Sequence, residues 1–284
     1  MKKISISPII QANELLALYK STYLVLIDAS NGKNAKANFE GKHLEGAQFV
    51  DLNSQLADIK ENLSIGGRHP LPKIENFLET VANLGISSAS HVVIYDDKNG
   101  SNAAARLWWM LKSIGHEKVQ VLNGGFQEAE KIHFPTSSKI EIVTKTPTYK
   151  TKNWKLQIAK MEEVEKASQD KNQVVIDVRD VDRYNGETEP IDLVAGHIPG
   201  AINIPFTENL DENGLFLPPN ELKEKYSKVL EMVKAENTIV HCGSGVTACH
   251  TLLAIAYAGL EIPKLYVGSW SEWSRNDKPI ATKV

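Results

Sequence analysis

The stretch "NTIVHCGSGVTACHTLLAIAYAGL", residues 237–260, decides the fold. A short apolar run ends at His241. Cys242 follows, then Gly243 and Gly245 among small polar residues, then an apolar segment of helical length. Strand, glycine-bearing loop and helix in that order form the repeating unit of a parallel sheet wrapped by helices. In open parallel sheets ligands bind beyond the carboxyl ends of strands, and Cys242 stands at such an end. A helix starting near Val246 or Thr247 presents unpaired N–H groups and a partial positive charge. The glycines let the loop curl so that further amides turn inward as an anion-binding nest. Both features favour a thiolate, the reactive form of the side chain. Cys249 lies among apolar residues at helical spacing and is expected to pack in the core.

Working outward, the same order of motifs occurs twice. "LVLIDAS" (24–30), "HLEGAQFVDL" (43–52), "HVVIYDD" (91–97), "AAARLWWMLKSIG" (103–115) and "VQVLNGGFQEA" (119–129) make one series. "QVVIDVRD" (173–180), "HIPGAINIPF" (197–206), "NTIVHCG" (237–243), "VTACHTLLAIAYAGL" (246–260) and "KLYVGSWSEW" (264–273) make the other. The offset is roughly 150 residues, about one domain length. Asp28 thus matches Asp177, His43 matches His197, and Asp96 falls where Cys242 sits. The join lies in "FPTSSKIEIVTKTPTYKTKNWK" (134–155), rich in lysine, Ser/Thr and proline, as an exposed connection is. "KIEIVT" within it has the alternation of a strand. The expected domains are 1–144, without a nucleophile, and 145–284, catalytic. The expected fold class is α/β, two tandem domains, each a mainly parallel sheet flanked by helices.

A chain of 284 residues is long for one compact domain, which agrees with the duplication. The formal net charge of −3 lends no support to a nucleic-acid-binding or anionic-membrane role. Two cysteines are too few for a disulfide framework. Seven helical residues would separate them by about 10 Å, too far to bridge, so a reducing compartment is expected. The N-terminus carries Lys2 and Lys3 but only a short apolar run broken by Pro8, unlike a secretory signal. No segment is apolar for long enough to span a bilayer. A cytoplasmic protein is the expectation.

Cysteine-dependent phosphatases carry H-C-x-x-G-x-x-R. Here "HCGSGVTA" supplies His241, Cys242 and Gly245, but Ala248 replaces the arginine that would clamp a phosphate bidentately. No Cys/His cluster has metal-ligand spacing, and no cofactor is expected.

The chain resembles the two-domain rhodanese-type sulfurtransferases, the 3-mercaptopyruvate and thiosulfate enzymes. "CGSGVTA" (242–248) looks like their active loop. "GHIPGAINIPF" (196–206), "DVRDVDRYNG" (177–186) and "LYVGSWSEW" (265–273) resemble other hallmarks of the catalytic domain, and "HVVIYD" with "ARLWWM" resembles the non-catalytic one. The resemblance implies that Cys242 takes sulfur from a small anionic donor and carries it as a persulfide to an acceptor such as cyanide, thioredoxin or a small thiol. It implies that the loop Gly243, Ser244, Gly245, Val246 and Thr247 cradles that anion, and that Arg183 grips the donor. Ser244 and His69, in "GGRHPLP", match a proposed proton relay. Arg179 is expected to hold the loop by an ion pair. His43 and His197, repeated in a domain lacking the nucleophile, are expected to shape turns.

The sequence departs from the family at several places. Thiosulfate enzymes show "CRKGVTA", and here Gly243 and Ser244 replace the two cations. Mercaptopyruvate enzymes carry an arginine after "EP", where this chain has Ile191 or Asp192. Asn53 replaces a relay aspartate, and Asn31 a tryptophan. The loop favours mercaptopyruvate, with thiosulfate left open, and Lys33, Lys36 or Arg68 are candidates to supply missing positive charge. The alternative reading is a non-enzymatic persulfide carrier or partner-binding module of the same fold.

Overall fold

The structure is a computed structural model that describes residues 6–231 and 233–283, so Lys2 and Lys3 lie outside the described residues. The chain divides into two units. The first comprises Met1–Leu56, Pro72–Lys155 and Asn213–Leu215. The second comprises Ala57–Leu71, Leu156–Glu212 and Phe216–Val284.

This division differs from the expected border at residue 145 in two respects. The connection as far as Lys155 stays with the first unit. Trp154 packs against Phe77 and Trp109 at 5.3 and 6.2 Å between ring centroids, and the Lys155 N–H donates to the Ser113 carbonyl at 2.8 Å. Conversely, Ala57–Leu71 belongs to the second unit. There the Gly66 N–H donates to the Glu272 carboxylate at 2.7 Å, and the Asn276 side chain donates to the Ser64 carbonyl at 2.9 Å.

The first unit runs β1 (Ile9–Ile10), α1 (Ala12–Leu18), β2 (Leu24–Asp28), α2 (Ala35–Gly41), β3 (His43–Leu44), β4 (Ala47–Phe49), α3 (Leu52–Gln55), α4 (Ile74–Asn83), β5 (His91–Tyr95), α5 (Ala103–Ser113), β6 (Val119–Leu122), α6 (Gly125–Lys131) and β7 (Thr136–Ser137). Five strands form a parallel sheet in the order β1-β6-β5-β2-β4, and β3 pairs with β7 antiparallel. The second unit runs β8 (Ile158–Ala159), α7 (Met161–Ala167), β9 (Val174–Asp177), α8 (Val181–Asn185), β10 (Ile202–Asn203), α9 (Pro219–Leu230), β11 (Thr238–His241), α10 (Thr247–Tyr257), β12 (Lys264–Tyr266) and α11 (Ser269–Trp273). Its parallel sheet has the order β8-β12-β11-β9-β10, strand for strand that of the first. "KIEIVT" is not a strand. Its residues run without a ladder partner, and Ile142 is fully exposed.

The middles of the central strands are apolar, as in parallel sheets covered on both faces. Val93 and Ile94 in β5, and Ile239 and Val240 in β11, are wholly buried, each contributing roughly 1.5–3 kcal/mol. In both sheets the chain steps from the second strand to one side and then to the other. This puts a topological switch point at the carboxyl ends of β2 and β5, and of β9 and β11.

The register makes the internal equivalence concrete. Asp28 lies opposite Tyr95, and Asp177 lies opposite His241. The next residues, Asp96 and Cys242, are therefore equivalent. The repeated histidines also match. The His43 ring stacks on Phe39 at 4.0 Å with Nδ1 at 2.5 Å from the Phe39 carbonyl. The His197 ring stacks on Tyr184 at 3.7 Å with Nδ1 at 2.7 Å from the Tyr184 carbonyl. Each fixes the turn that follows its helix.

Candidate active site

β11 delivers Cys242 to the switch point of the second sheet, and α10 begins at Thr247, so residues 243–246 are the whole connecting loop. Gly245 turns it. Its φ is +73°, and a Cβ there would stand 2.5 Å from the Val267 carbonyl oxygen, so only glycine is admitted without strain. The turn directs the Gly245 N–H at the Cys242 sulfur, 3.2 Å away. The carbonyl of the same residue accepts a bond from the Cys249 thiol at 3.4 Å, one turn into α10. Cys249 is wholly buried, as packing in the core requires.

The start of α11, with the end of β12, clamps the loop from the other side. The Cys242 N–H donates to the Ser269 hydroxyl at 3.2 Å, and that hydroxyl donates to the Tyr266 carbonyl at 2.8 Å. The Trp270 and Ser271 N–H groups donate to the carbonyls of Cys242 and Gly243 at 3.0 and 2.8 Å. Ser269 takes φ +55°, an uncommon conformation for a residue with a side chain. Trp270 and Trp273 are core residues, their indole N–H groups capped by the carbonyls of Val194 and Pro279 at 2.9 Å each.

The position at the strand end is the one the sequence implies, but Cys242 is only 1% exposed. The loop is wrapped closely enough to take the sulfur out of bulk water.

Charged groups ring this loop. Asp177, at the end of β9, receives three bonds of 2.6–3.1 Å from the Arg179 guanidinium. Arg179 also donates to the Gly196 carbonyl at 2.6 Å and stacks 4.5 Å from the centre of the Trp270 ring. It is the architectural ion pair that its position past β9 implies. Burial pushes the Asp177 carboxyl up, and the charges of His241 and Arg179 outweigh it, so it rests below the usual range. Burial pushes His241 down against the pull of Asp177, 3.7 Å away.

Arg183 and Arg68 lie against Gly243. A Cβ on that glycine would meet the Arg68 Nη2 at 3.1 Å and the Arg183 Nη2 at 3.4 Å. Of the three candidate cations, Arg68, from the 57–71 segment of the same unit, lies beside the loop. Lys33 and Lys36 belong to the first unit. Neither arginine stands open. Arg183 is held by Glu189 at 2.7 and 3.2 Å and by Asp192 at 3.4 Å, and Arg68 pairs with Asp192.

His69, next to Arg68, meets Ser244 with Nδ1 at 2.8 Å from the hydroxyl. Asp51, the remaining acid of the departed relay pattern, spends its carboxylate on the N-terminus of α3, accepting the Ser54 N–H at 2.7 Å. The sequence reading passed over Ser269, Glu189 and Arg275. "GSWSEW" marked the place, but nothing in its spacing said that its hydroxyl would hold the Cys242 amide. Among the described residues no His/Cys/Asp/Glu group could hold a metal ion, and no helix is long and apolar enough to cross a membrane.

A strand-end cysteine under a curled, glycine-turned loop at a switch point defines a class, and comparison with known proteins agrees. The rhodanese-like domain matches residues 11–131 and 160–276. The chain belongs to the rhodanese family and carries two of its domains. It is 35% identical over 265 residues to the 3-mercaptopyruvate sulfurtransferase of Homo sapiens, covering 90% of this chain and 86% of that protein. It is also 35% identical over 265 residues to the thiosulfate sulfurtransferase of Rattus norvegicus, with the same coverage. The crystal structure of the Escherichia coli 3-mercaptopyruvate sulfotransferase SseA superposes with a TM-score of 0.79 at 31% identity, covering 94% of this chain and all of that one. Equal identity to the two kinds of sulfurtransferase leaves the donor to be argued from the site.

Proposed function

We propose that this protein is a sulfurtransferase that carries sulfur as a persulfide on Cys242, with 3-mercaptopyruvate as the favoured donor and thiosulfate as a second. The Cys242 thiolate attacks the donor sulfur. With mercaptopyruvate the carbon–sulfur bond breaks, the proton of the donor thiol ends on the methyl carbon of pyruvate, and Cys242–S–S⁻ remains. With thiosulfate the sulfur–sulfur bond breaks and sulfite leaves. An acceptor then removes the outer sulfur and returns the thiolate. Cyanide would leave as thiocyanate, and thioredoxin or a small thiol would act in its place. Splitting the transfer into two displacements at one nucleophile is ordinary covalent catalysis.

The observation that carries this reading is the Gly245 N–H at 3.2 Å from the Cys242 sulfur, in a loop closed at the N-terminus of an 11-residue helix. A preorganised amide at a developing anion lowers the barrier without reorganisation. Gly243, Ser244, Val246 and Thr247 complete the loop around the outer sulfur. Arg183, beside Gly243, faces the donor's charged end. The His69–Ser244 pair is suited to move the proton that the mercaptopyruvate reaction relocates. No cofactor is needed, and two free cysteines suit a reducing cytoplasm.

The test is turnover with cyanide. The wild-type protein should make thiocyanate from mercaptopyruvate and more slowly from thiosulfate, and Cys242→Ser should make none from either. A single sulfur taken up and never passed on would favour the carrier reading, which the close burial of Cys242 makes worth testing.

A further inference from the structure

Beside the Cys242 loop lies a small network of ion pairs centred on the Asp192 carboxylate. The Asp192 side chain is wholly buried. It accepts from Arg68 Nη1, from Arg275 Nη1 at 2.9 Å and from Arg183 Nη2 at 3.4 Å. Its own N–H, at 3.0 Å, and that of Ile191, at 3.1 Å, donate to Glu189, which in turn holds Arg183. The network is layered. The side chains of Asp192 and Glu189 are 0% and 3% exposed, whereas those of Arg68, Arg275 and Arg183 are 20%, 14% and 13% exposed. The carboxylates are the more deeply buried partners, and the arginines, two of them beside Gly243, keep the exposed surface.

The side chains tied into this network are four cations (Arg68, Arg179, Arg183, Arg275) and three anions (Asp177, Glu189, Asp192). One positive charge is left over beside the loop.

We propose that Asp192 sets the donor selectivity of this site: by neutralising Arg68, Arg183 and Arg275 from behind, it makes the entrance accept a monoanionic sulfur donor over a dianionic one. This deepens the sulfurtransferase reading and rests on it. Coulomb energy is linear in ligand charge. A buried negative charge, little screened by salt, therefore disfavours a dianion twice as strongly as a monoanion. Asp192 also fixes the directions of the guanidinium groups, so it is a positioning residue as well as a charge.

The experiment compares wild type, Asp192→Asn and Asp192→Glu. Thiosulfate is the dianionic donor and mercaptopyruvate the monoanionic one, with cyanide as acceptor. In parallel, sulfate and pyruvate are titrated as protectants of Cys242 against iodoacetamide. Asp192→Asn should raise the thiosulfate-to-mercaptopyruvate ratio of kcat/KM roughly tenfold and should lower the protecting concentration of sulfate relative to pyruvate in step. Asp192→Glu should return both ratios toward wild type. Equal loss with both donors at an unchanged ratio, or a Glu variant that behaves like Asn, overturns the proposal. Should Asp192→Asn fail to fold, Arg275→Gln leaves Asp192 less compensated and must move the ratio the other way; an unmoved ratio overturns it. If wild type makes no thiocyanate from either donor, the sulfurtransferase reading falls. The protection ratios would then still decide the role of Asp192, and unchanged ratios would refute it.

Discussion

At the end of β5 the first unit places Asp96, and at the equivalent end of β11 the second unit places Cys242. Around Asp96 the loop closes on a carboxylate. The amides of Lys98 and Gly100 donate to one oxygen at 2.9 and 2.8 Å, and those of Asn102 and Ala104 to the other at 3.1 and 3.2 Å. Asp96 is wholly buried, so this anion belongs to the protein. Around Cys242 the loop is shorter: residues 243–246 precede α10, against 97–102 before α5. One amide, from Gly245, reaches the sulfur, and two guanidinium groups lie beside Gly243. An anion one atom beyond the γ position is what Asp96 carries permanently. On our account Cys242 carries one only after it has taken up sulfur. One strand–loop–helix frame thus supports a fixed charge in one unit and a transferable one in the other.

The second difference lies two residues after the first aspartate of each repeat. Asp28 accepts the local Ser30 N–H at 2.8 Å and bonds from the Ser30 and Tyr95 hydroxyls, and burial raises its carboxyl. Asp177 meets Arg179, and its carboxyl is held low. The second unit has Arg179 where the first has Ser30, and on our account this counter-charge sits near a sulfur that must become an anion.

The comparison breaks most easily at the turn. Gly245→Ala would force a side chain onto the Val267 carbonyl in a left-handed conformation, moving the amide that reaches the sulfur. Sulfur-transfer kcat/KM should fall roughly 100- to 1,000-fold, the scale of losing one anion-stabilising donor. A change of less than threefold would mean that the loop cradle contributes little.

A smaller effect sharpens the other side. Burial pushes the Asp96 carboxyl up to about 6, against the pull of its amides. Raised above its unfolded value of about 3.9, the group stabilises the first unit fully below pH 4 and loses that contribution as the pH climbs through 6. The decline is about 3 kcal/mol by linkage. Urea unfolding of wild type and of Asp96→Asn from pH 4 to pH 7 should show it as a fall in the wild-type-minus-variant difference, because the buried histidines and Asp28 titrate alike in both. A difference that stays level or grows in favour of wild type across that window would show that the four amides outweigh burial.

Much of this was legible in the sequence, for definite reasons. The alternation of β-branched runs with helical segments fixed both sheets, and the duplicated order of motifs placed Asp96 opposite Cys242. Gly245 announced a turn that only glycine makes, and the repeated His43 and His197 proved to be stacked turn-formers. What escaped notice was tertiary. The 57–71 segment carries no sign that it joins the second unit, so Arg68 could be one of three candidate cations but not the one beside Gly243. Arg183 was expected as an open anion grip. That it is already paired depends on Glu189 and Asp192, six and nine residues further on in a loop with no periodic pattern. The enclosure of Cys242 depends on Ser269 and Trp270, whose sequence reads as ordinary core. The outer extent of the first unit was misplaced because Trp154 packs backward onto Phe77 and Trp109, and nothing in a lysine-rich connection signals that.

The central claim is that the second unit, and not the first, holds a transferable sulfur anion on Cys242. The most direct measurement is the mass of the protein and its peptides after incubation with mercaptopyruvate and removal of excess donor, without acceptor. The account predicts one adduct of about +32 Da, one sulfur atom, on the Cys242 peptide, discharged by cyanide and absent from Cys242→Ser. Turnover with Cys242 unmodified, or the adduct on Cys249, would contradict it.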